Sequence, residues 1–78
     1  MQAKELLAYL VDNLVVNKED VVIDVDETEN SINLTLRVNP DDMGRVIGRK
    51  GRIANSIRTI LKAANFESTK NVNLEIAD

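Results

Sequence analysis

Apolar residues recur with the helical period of three to four residues in some segments of this chain and with the strand period of two in others. This pattern limits the possible folds more than any other feature of the sequence. At the amino end, Leu7, Leu10 and Leu14 recur every three or four positions, which predicts an amphipathic helix over residues 2–16. Later segments alternate apolar and polar side chains, as half-buried strands do. The predicted strands cover residues 21–26, 32–38 and 72–77.

Two further helices are predicted between the second and third strands. Asn39 is suited to capping a helix, Pro40 to the first helical position, and Asp41 and Asp42 to the positive end of the helix dipole. The first of these helices is short because Gly48 follows closely, and the second runs from about residue 51 to 65. The order of elements is therefore α-β-β-α-α-β, which is typical of an α+β domain.

The length and composition limit the function classes. A chain of 78 residues accommodates one domain, and we expect that domain to cover residues 1–78. It has no cysteine and no histidine, so the usual nucleophile–base pairs and the commonest metal ligand are missing. We predict no enzyme activity, no metal and no cofactor. Apolar runs are far too short to span a membrane and no secretory pattern is present, so a cytoplasmic protein is expected.

Charge is distributed unevenly, which matters more for ligand steering than the net charge of −3. Residues 43–66 hold six basic and no acidic residues, whereas the remainder holds four basic and thirteen acidic residues. The carboxylates between Asp24 and Glu29 fit a solvated strand face better than a cation site. The basic stretch favours an anionic ligand, although a solvated helix face would have the same composition.

Gly48-Arg49-Lys50-Gly51 separates the two central helices and is the strongest candidate site. Glycine permits left-handed backbone angles and lets a ligand backbone approach closely. The amide groups that begin the following helix suit a phosphate, and two cations flank the same position. The alternative is a plain interhelical turn in which Gly48 ends one helix and both cations are merely exposed.

The stretch from Gly44 to Ala54, with its Gly-x-x-Gly loop, resembles the signature of KH domains, in which that loop clamps the backbone of about four nucleotides. The element order is similar to the type II KH fold, whose three-stranded sheet carries the helices on one face. More narrowly, the whole chain resembles the KhpA family of small bacterial single-KH-domain proteins. The resemblance implies a single-stranded RNA-binding protein that acts as an RNA chaperone or post-transcriptional regulator.

The resemblance also implies which residues contact RNA. Ile47 and the start of the second central helix would line one wall of a groove for bases. Residues 32–38 would form the opposite wall, with residues 27–31 as the variable loop. Many KH domains have isoleucine where this chain has Ala54, so weaker apolar contact with a base and weak sequence discrimination are expected. The implied RNA-binding residues are Arg45, Ile47, Gly48, Arg49, Lys50, Gly51, Arg52 and Ala54.

Aromatic residues are scarce in this sequence, which favours a KH domain over other RNA-binding folds. Tyr9 and Phe66 are the only aromatic residues, and neither lies in a predicted strand. RNA-binding sheets of the RRM or OB type stack bases on strand aromatics. A site that lacks them depends on phosphate contacts, so weak binding, in the micromolar range, is expected.

Two alternatives to an RNA-binding module involve the central helices: a protein-interaction or dimerisation module with little RNA binding of its own, and a helix-turn-helix protein that binds duplex DNA. The apolar stripe of the second helix is wide, and its margin, Ile60 or Leu61, is a candidate dimer interface. The family resemblance implies a homodimer or a heterodimer with a larger KH-containing protein, called KhpB, EloR or Jag, and a link to cell elongation and envelope synthesis. A helix-turn-helix for duplex DNA is disfavoured, because its recognition helix would be exposed rather than packed in an α/β layer.

Overall fold

The computed structural model describes residues 2–65 and 68–77, which form three helices and a three-stranded sheet. Short 3-10 turns at residues 18–20, 40–42 and 49–51 connect these elements. The elements are α1 (Ala3–Asp12), β1 (Val22–Glu27), β2 (Ser31–Arg37), α2 (Met43–Ile47), α3 (Arg52–Ala64) and β3 (Asn71–Ala77). The predicted order and α+β class are confirmed.

The sheet has the strand order β1-β2-β3, so β2 lies in the centre. β1 and β2 pair antiparallel across a tight turn, with Val25 opposite Leu34. β2 and β3 pair parallel, with Leu34 opposite Leu74. Parallel neighbours require a long crossover connection, and here α2 and α3 supply it. The crossover places the two-glycine loop at one end of the helical layer.

The core lies between the inner face of the sheet and the helices. Alternation along β2 directs Leu34 and Leu36 inward, where both are fully buried. The helical period brings Leu7 of α1 and Leu61 of α3 onto the same core. The other buried apolar residues of this core are Val11, Val15, Val46, Ile57, Val72 and Leu74.

α1 ends earlier than the predicted residue 16. The Lys18 ammonium donates hydrogen bonds to the carbonyl oxygens of Asp12 (2.6 Å) and Val15 (3.2 Å). These carbonyls belong to the end of the helix and the turn after it, where intrahelical partners run out. Val15 reaches the core from this turn rather than from the helix. Periodicity predicted the burial of Leu7 correctly but not the end of the helix.

The outer face of the sheet is polar and acidic. Asn73 donates a hydrogen bond to Asn33 Oδ1 (2.9 Å), and Arg37 pairs with Asp24 (2.7 Å). Asp26 and Glu75 on the same face are exposed. Within residues 2–65 and 68–77, no three carboxylates gather in a way that could hold a metal ion. No helix in the described part of the chain is both long enough and apolar enough to cross a membrane.

Candidate nucleic-acid interface

The segment before the loop starts α2 in the way its sequence predicts. The side chain of Asn39 accepts a hydrogen bond from the backbone amide of Asp41 (2.8 Å), and Pro40 occupies the first helical position. The 3-10 turn Pro40–Asp42 leads directly into α2. α2 is thus held from its first residue, which fixes the direction in which the chain enters the loop.

Asp42 connects α2 to the end of α1. Its side chain is 1% exposed, and it accepts hydrogen bonds from the backbone amides of Val16 (3.1 Å) and Asn17 (3.0 Å). The side-chain amide of Asn17 donates a third (3.1 Å). Arg45, one turn later, lies 3.5 Å from the carboxylate. A buried carboxylate with this many donors is satisfied, and it ties two loops together at the base of α2.

The environment of Asp42 lowers its pKa. Burial of the carboxyl raises the pKa, but the amides of Asn17 and Val16, the Asn17 side chain and the Arg45 charge outweigh burial. The pKa of Asp42 therefore lies below the ordinary value for aspartate. Because the folded state favours the ionised form, the stabilisation is present above the unfolded-state pKa. It is lost as the pH falls through the folded-state pKa.

Replacing Asp42 with asparagine is expected to lower the unfolding midpoint by several degrees at pH 7, because one acceptor oxygen becomes a donor facing other donors. The difference from wild type should begin to shrink below about pH 4, the pKa of aspartate in the unfolded state, and should shrink further as the pH falls through the lower folded-state pKa. Thermal unfolding between pH 3 and 7 measures this. Asp41→Asn, at the exposed neighbouring position, is the matched control. A difference that stays constant over this range would contradict the role given to the Asp42 charge.

Gly48 has a backbone conformation that only glycine adopts readily. Its φ is 73° and its ψ 177°, a region closed to residues with a Cβ atom. A Cβ placed there would lie 2.6 Å from Ile53 Cγ1 and 3.1 Å from Ile53 Cβ. The Gly48 amide donates to the Gly44 carbonyl (2.9 Å), so the residue also closes α2. Ile53 packs against the core and lies directly under the loop.

The second half of the loop is left-handed. Lys50 has φ 57° and ψ 23°, and Gly51 has φ 74° and ψ 17°. A residue with a side chain pays about 1–2 kcal/mol for such angles, so the surrounding structure holds Lys50 in an unfavourable conformation. A Cβ at Gly51 would meet nothing within 4 Å. The two glycines are therefore not equivalent. At Gly48 both the backbone angles and the lack of space disfavour a side chain, whereas at Gly51 only the backbone angles do.

The cations of the loop are exposed and available. Arg49, Lys50 and Arg52 are solvent-exposed. Among the residues that the structure describes, none of the carboxylates lies within 4.0 Å of these three side chains. Arg45 differs because it pairs with Asp42. The positive charge at the tip of the loop is thus not neutralised by the described chain, while that of Arg45 is partly compensated.

The other predicted site residues are distributed less favourably. Ile47 is half-buried against the core, and Ala54 is only 4% exposed. Ala54 therefore offers a ligand little surface. Residues 32–38, expected as the opposite wall, fall in the central strand, which is hydrogen-bonded on both sides. The strand that α3 reaches is β3, since Arg58 Nε donates to the Leu74 carbonyl (3.2 Å).

Two polar residues near the site were not among the predicted ones. The sequence indicates Asp42 only as a charge at the helix dipole, because its partners Val16 and Asn17 are distant in the chain and leave no local signal. Arg58 belongs to the predicted basic stretch but not to the predicted RNA-binding residues. It lies about two turns after Gly51, so it is on the side of α3 that faces the same way as the loop. Of the two aromatic residues, Tyr9 is exposed on α1, and Phe66 lies outside the described residues.

Ile60 and Leu61, the two residues predicted at a dimer interface, differ in their exposure to solvent. Leu61 is 1% exposed and belongs to the core, so that part of the prediction is wrong because a buried side chain offers no contact surface. Ile60 is 43% exposed. It borders an apolar groove between α1 and α3 that Leu10, Leu14 and Ile53 also line.

Residues 4–76 match the family described as KhpA/KhpB, KH domain. The RNA-binding protein KhpA of Clostridium perfringens is 48% identical over 73 residues, which are 94% of this chain and 97% of the relative. RNA-binding protein KhpA of Listeria monocytogenes is 45% identical over 75 residues, or 96% and 99% of the two chains. The protein of the same name from Borreliella burgdorferi is 45% identical over 74 residues, or 95% and 90%.

These matches span the two-glycine loop and almost all of the sheet and helices. The order α-β-β-α-α-β and the three-stranded sheet agree with the KH fold that the sequence resembles. The relatives are named as RNA-binding proteins and not as enzymes, in keeping with the prediction of no catalytic activity. The chain belongs to the KhpA/KhpB family of KH domains.

Proposed function

We propose that this protein binds single-stranded RNA, with the phosphates of a short segment lying on the loop from Gly48 to Arg52. The observation that carries the proposal is the exposed pair Arg49 and Lys50, set between two glycines of positive φ. A second support is the charge on the outer face of the sheet, the face that is turned away from the helices. The outer face of the sheet is acidic around Asp26 and Glu75, so nucleic acid is repelled there and attracted at the loop.

Affinity at this site depends mainly on charge. Arg49, Lys50 and Arg52 are exposed and have no carboxylate partner among residues 2–65 and 68–77, and each neutralises about one phosphate. For single strands, log K falls with log salt at about −0.7 per neutralised phosphate, so a slope of about −2 is expected. Because few aromatic residues are present for base stacking, a dissociation constant in the micromolar range is expected.

Titration of fluorescein-labelled pentanucleotide RNA between 50 and 200 mM salt, followed by anisotropy, tests the proposal. A DNA hairpin long enough to form a stable duplex is the comparison, with the affinity expressed per phosphate at each salt concentration. We expect binding of the single strand with the stated slope, and weaker binding of the duplex. Equal or tighter binding of the duplex would favour the helix-turn-helix alternative, and absence of binding to either would overturn the proposal.

We also propose that two copies of the chain associate through the groove between α1 and α3. Ile60 is unusually exposed for its type, and it continues the apolar surface of Leu10, Leu14 and Ile53. Burying this surface against a second copy removes apolar area from water, which is favourable by about 25 cal/mol for each Å². Arg52 lines one end of this groove, but Arg49, Lys50 and Arg58 do not, so association leaves the tip of the loop accessible.

The variant Ile60→Asp tests this association. Ile60 is exposed, so the folded monomer should tolerate the change, whereas a carboxylate in an apolar interface is strongly unfavourable. Sedimentation equilibrium is expected to show a dimer for wild type and a monomer for the variant. Thr59→Asp, which adds the same charge at an exposed position of α3 that does not line the groove, should weaken association much less. A folded Ile60→Asp variant of unchanged mass would contradict this interface.

Family membership supports three further proposals. The first is that the protein acts on transcripts in the cytoplasm as an RNA chaperone or regulator. The second is that it pairs with a larger KH-containing protein of the KhpB or Jag type. The third is that this pairing serves cell elongation and envelope synthesis. Crosslinking the protein to cellular RNA and sequencing the attached transcripts, with co-purified proteins identified in the same sample, tests them together.

A further inference from the structure

Arg58 is a cation that bridges α3 and the edge of the sheet. Its Nε donates to the carbonyl oxygen of Leu74 (3.2 Å), and its Nη1 donates to Asn55 Oδ1 (3.1 Å). Leu74 lies in β3, an outer strand of the described sheet that pairs with β2 on its other side. The guanidinium is half-buried and held in one orientation by both bonds.

This position is close to the loop. Arg58 is seven residues beyond Gly51, about two helical turns, so it lies on the same side of α3 and about 10 Å further along the axis. The opposite flank of α3 carries Ile53 and Ile60 and faces α1. A nucleotide chain that leaves the loop along α3 towards β3 therefore passes Arg58 within the span of a short RNA segment.

Bonds to the described residues leave some hydrogen-bond donors of the guanidinium available for a ligand. Arginine has five N–H donors, and two of them bond to Leu74 and Asn55. None of the described carboxylates lies within 4.0 Å of the side chain. Without Arg58, the Leu74 carbonyl would accept a hydrogen bond from a base amino group. In the structure this carbonyl instead accepts a hydrogen bond from Arg58. The surface beside Leu74 therefore presents the hydrogen-bond donors of Arg58 to a ligand and not the backbone acceptor of β3.

We infer that Arg58 is a specificity-determining residue that donates hydrogen bonds to a base bearing paired acceptors, with guanine preferred. This inference rests on the proposed RNA binding. Guanine presents O6 and N7 together, the pair that arginine matches best, whereas adenine presents an amino group beside N7. Single-stranded RNA exposes these edges. Ala54 is small and buried, so it offers a base little apolar contact, and discrimination between bases depends on the fixed donors of Arg58.

The test uses fluorescein-labelled RNA pentamers of uridine with one central G, inosine, A or C. Inosine keeps O6 and N7 but lacks the guanine amino group. Wild type is expected to bind the G and inosine pentamers about tenfold more tightly than the A pentamer. Arg58→Gln should reduce this ratio below about twofold, with a smaller loss of affinity for the A pentamer.

Two further variants separate base reading from structural bracing. Arg58→Lys keeps the charge but loses the planar fork, and it should also lose the preference for G. Arg37→Gln removes a positive charge on the outer face of the sheet and should leave the ratio unchanged. Circular dichroism establishes that each variant is folded.

The possible outcomes separate the two proposals. If wild type binds none of the pentamers, RNA binding itself fails, and the role of Arg58 fails with it. If wild type binds all four equally, or if Arg58→Gln weakens all four by the same factor, RNA binding stands and Arg58 is only a brace between α3 and β3.

Discussion

Replacing Gly48 with alanine is expected to lower the free energy of unfolding by about 3 kcal/mol or more, a large part of the stability of so small a domain. The backbone angles at Gly48 are closed to alanine, and the new Cβ would lie 2.6 Å from Ile53 Cγ1. Because Ile53 is branched next to its own backbone, it cannot rotate away cheaply, and the first turn of α3 must shift. Urea unfolding followed by circular dichroism measures the loss.

Gly51→Ala is the matched control. Gly51 also has a positive φ, but a Cβ there meets nothing within 4 Å, so the loss should be about 1–2 kcal/mol. In an Ile53→Ala background, the cost of Gly48→Ala should decrease, because the γ carbons that clash are gone. Equal losses for the two glycine variants in the wild-type background would contradict the contact between the loop and Ile53.

Reversing both loop charges, Arg49→Asp with Lys50→Asp, is expected to weaken RNA binding by roughly 100-fold. Each lost contact to a phosphate costs about 1.5 kcal/mol, and the new carboxylates repel the same phosphates. The variant should remain folded, because both side chains are exposed and aspartate is among the residues that tolerate the left-handed angles of Lys50. Anisotropy with the pentanucleotide measures affinity, and urea unfolding measures stability.

Two controls accompany the charge reversal. Lys4→Glu with Arg37→Glu changes the net charge by the same amount at two positions away from the loop, and it should reduce affinity far less. Arg49→Gln with Lys50→Asn removes the charges without reversing them, and the salt slope should fall from about −2 to about −0.7. If the distant pair weakens binding as much as the loop pair does, overall charge and not the loop governs the interaction.

Local patterns in the sequence predicted the elements and the loop well. Alternation identified all three strands to within one or two residues, because the inner face of a small sheet admits few polar side chains. The start of α2 followed from Asn39 and Pro40, whose capping chemistry acts over neighbouring residues. The positive φ at Gly48 and Gly51 followed from glycine itself.

Features that depend on tertiary contacts could not be predicted from the sequence. Asp42 was expected to act on the helix dipole, yet its main partners lie about 25 residues away in Val16 and Asn17. Leu61 and Ile60 were equivalent candidates for an interface, because a wide apolar stripe does not reveal which edge the sheet covers. The hydrogen bond from Arg58 to Leu74 likewise depends on the parallel pairing of β3, which periodicity does not specify.

The claim that RNA phosphates lie on the backbone of the two-glycine loop is tested most directly by NMR. A ¹⁵N-labelled sample of the wild-type protein is titrated with the pentanucleotide, and the shift of each backbone amide is followed. The largest changes are expected at the amides of residues 48–52, with smaller ones along the edge of β3. Largest changes on the outer face of the sheet, around Asn33 and Thr35, with the loop amides unmoved, would contradict the account.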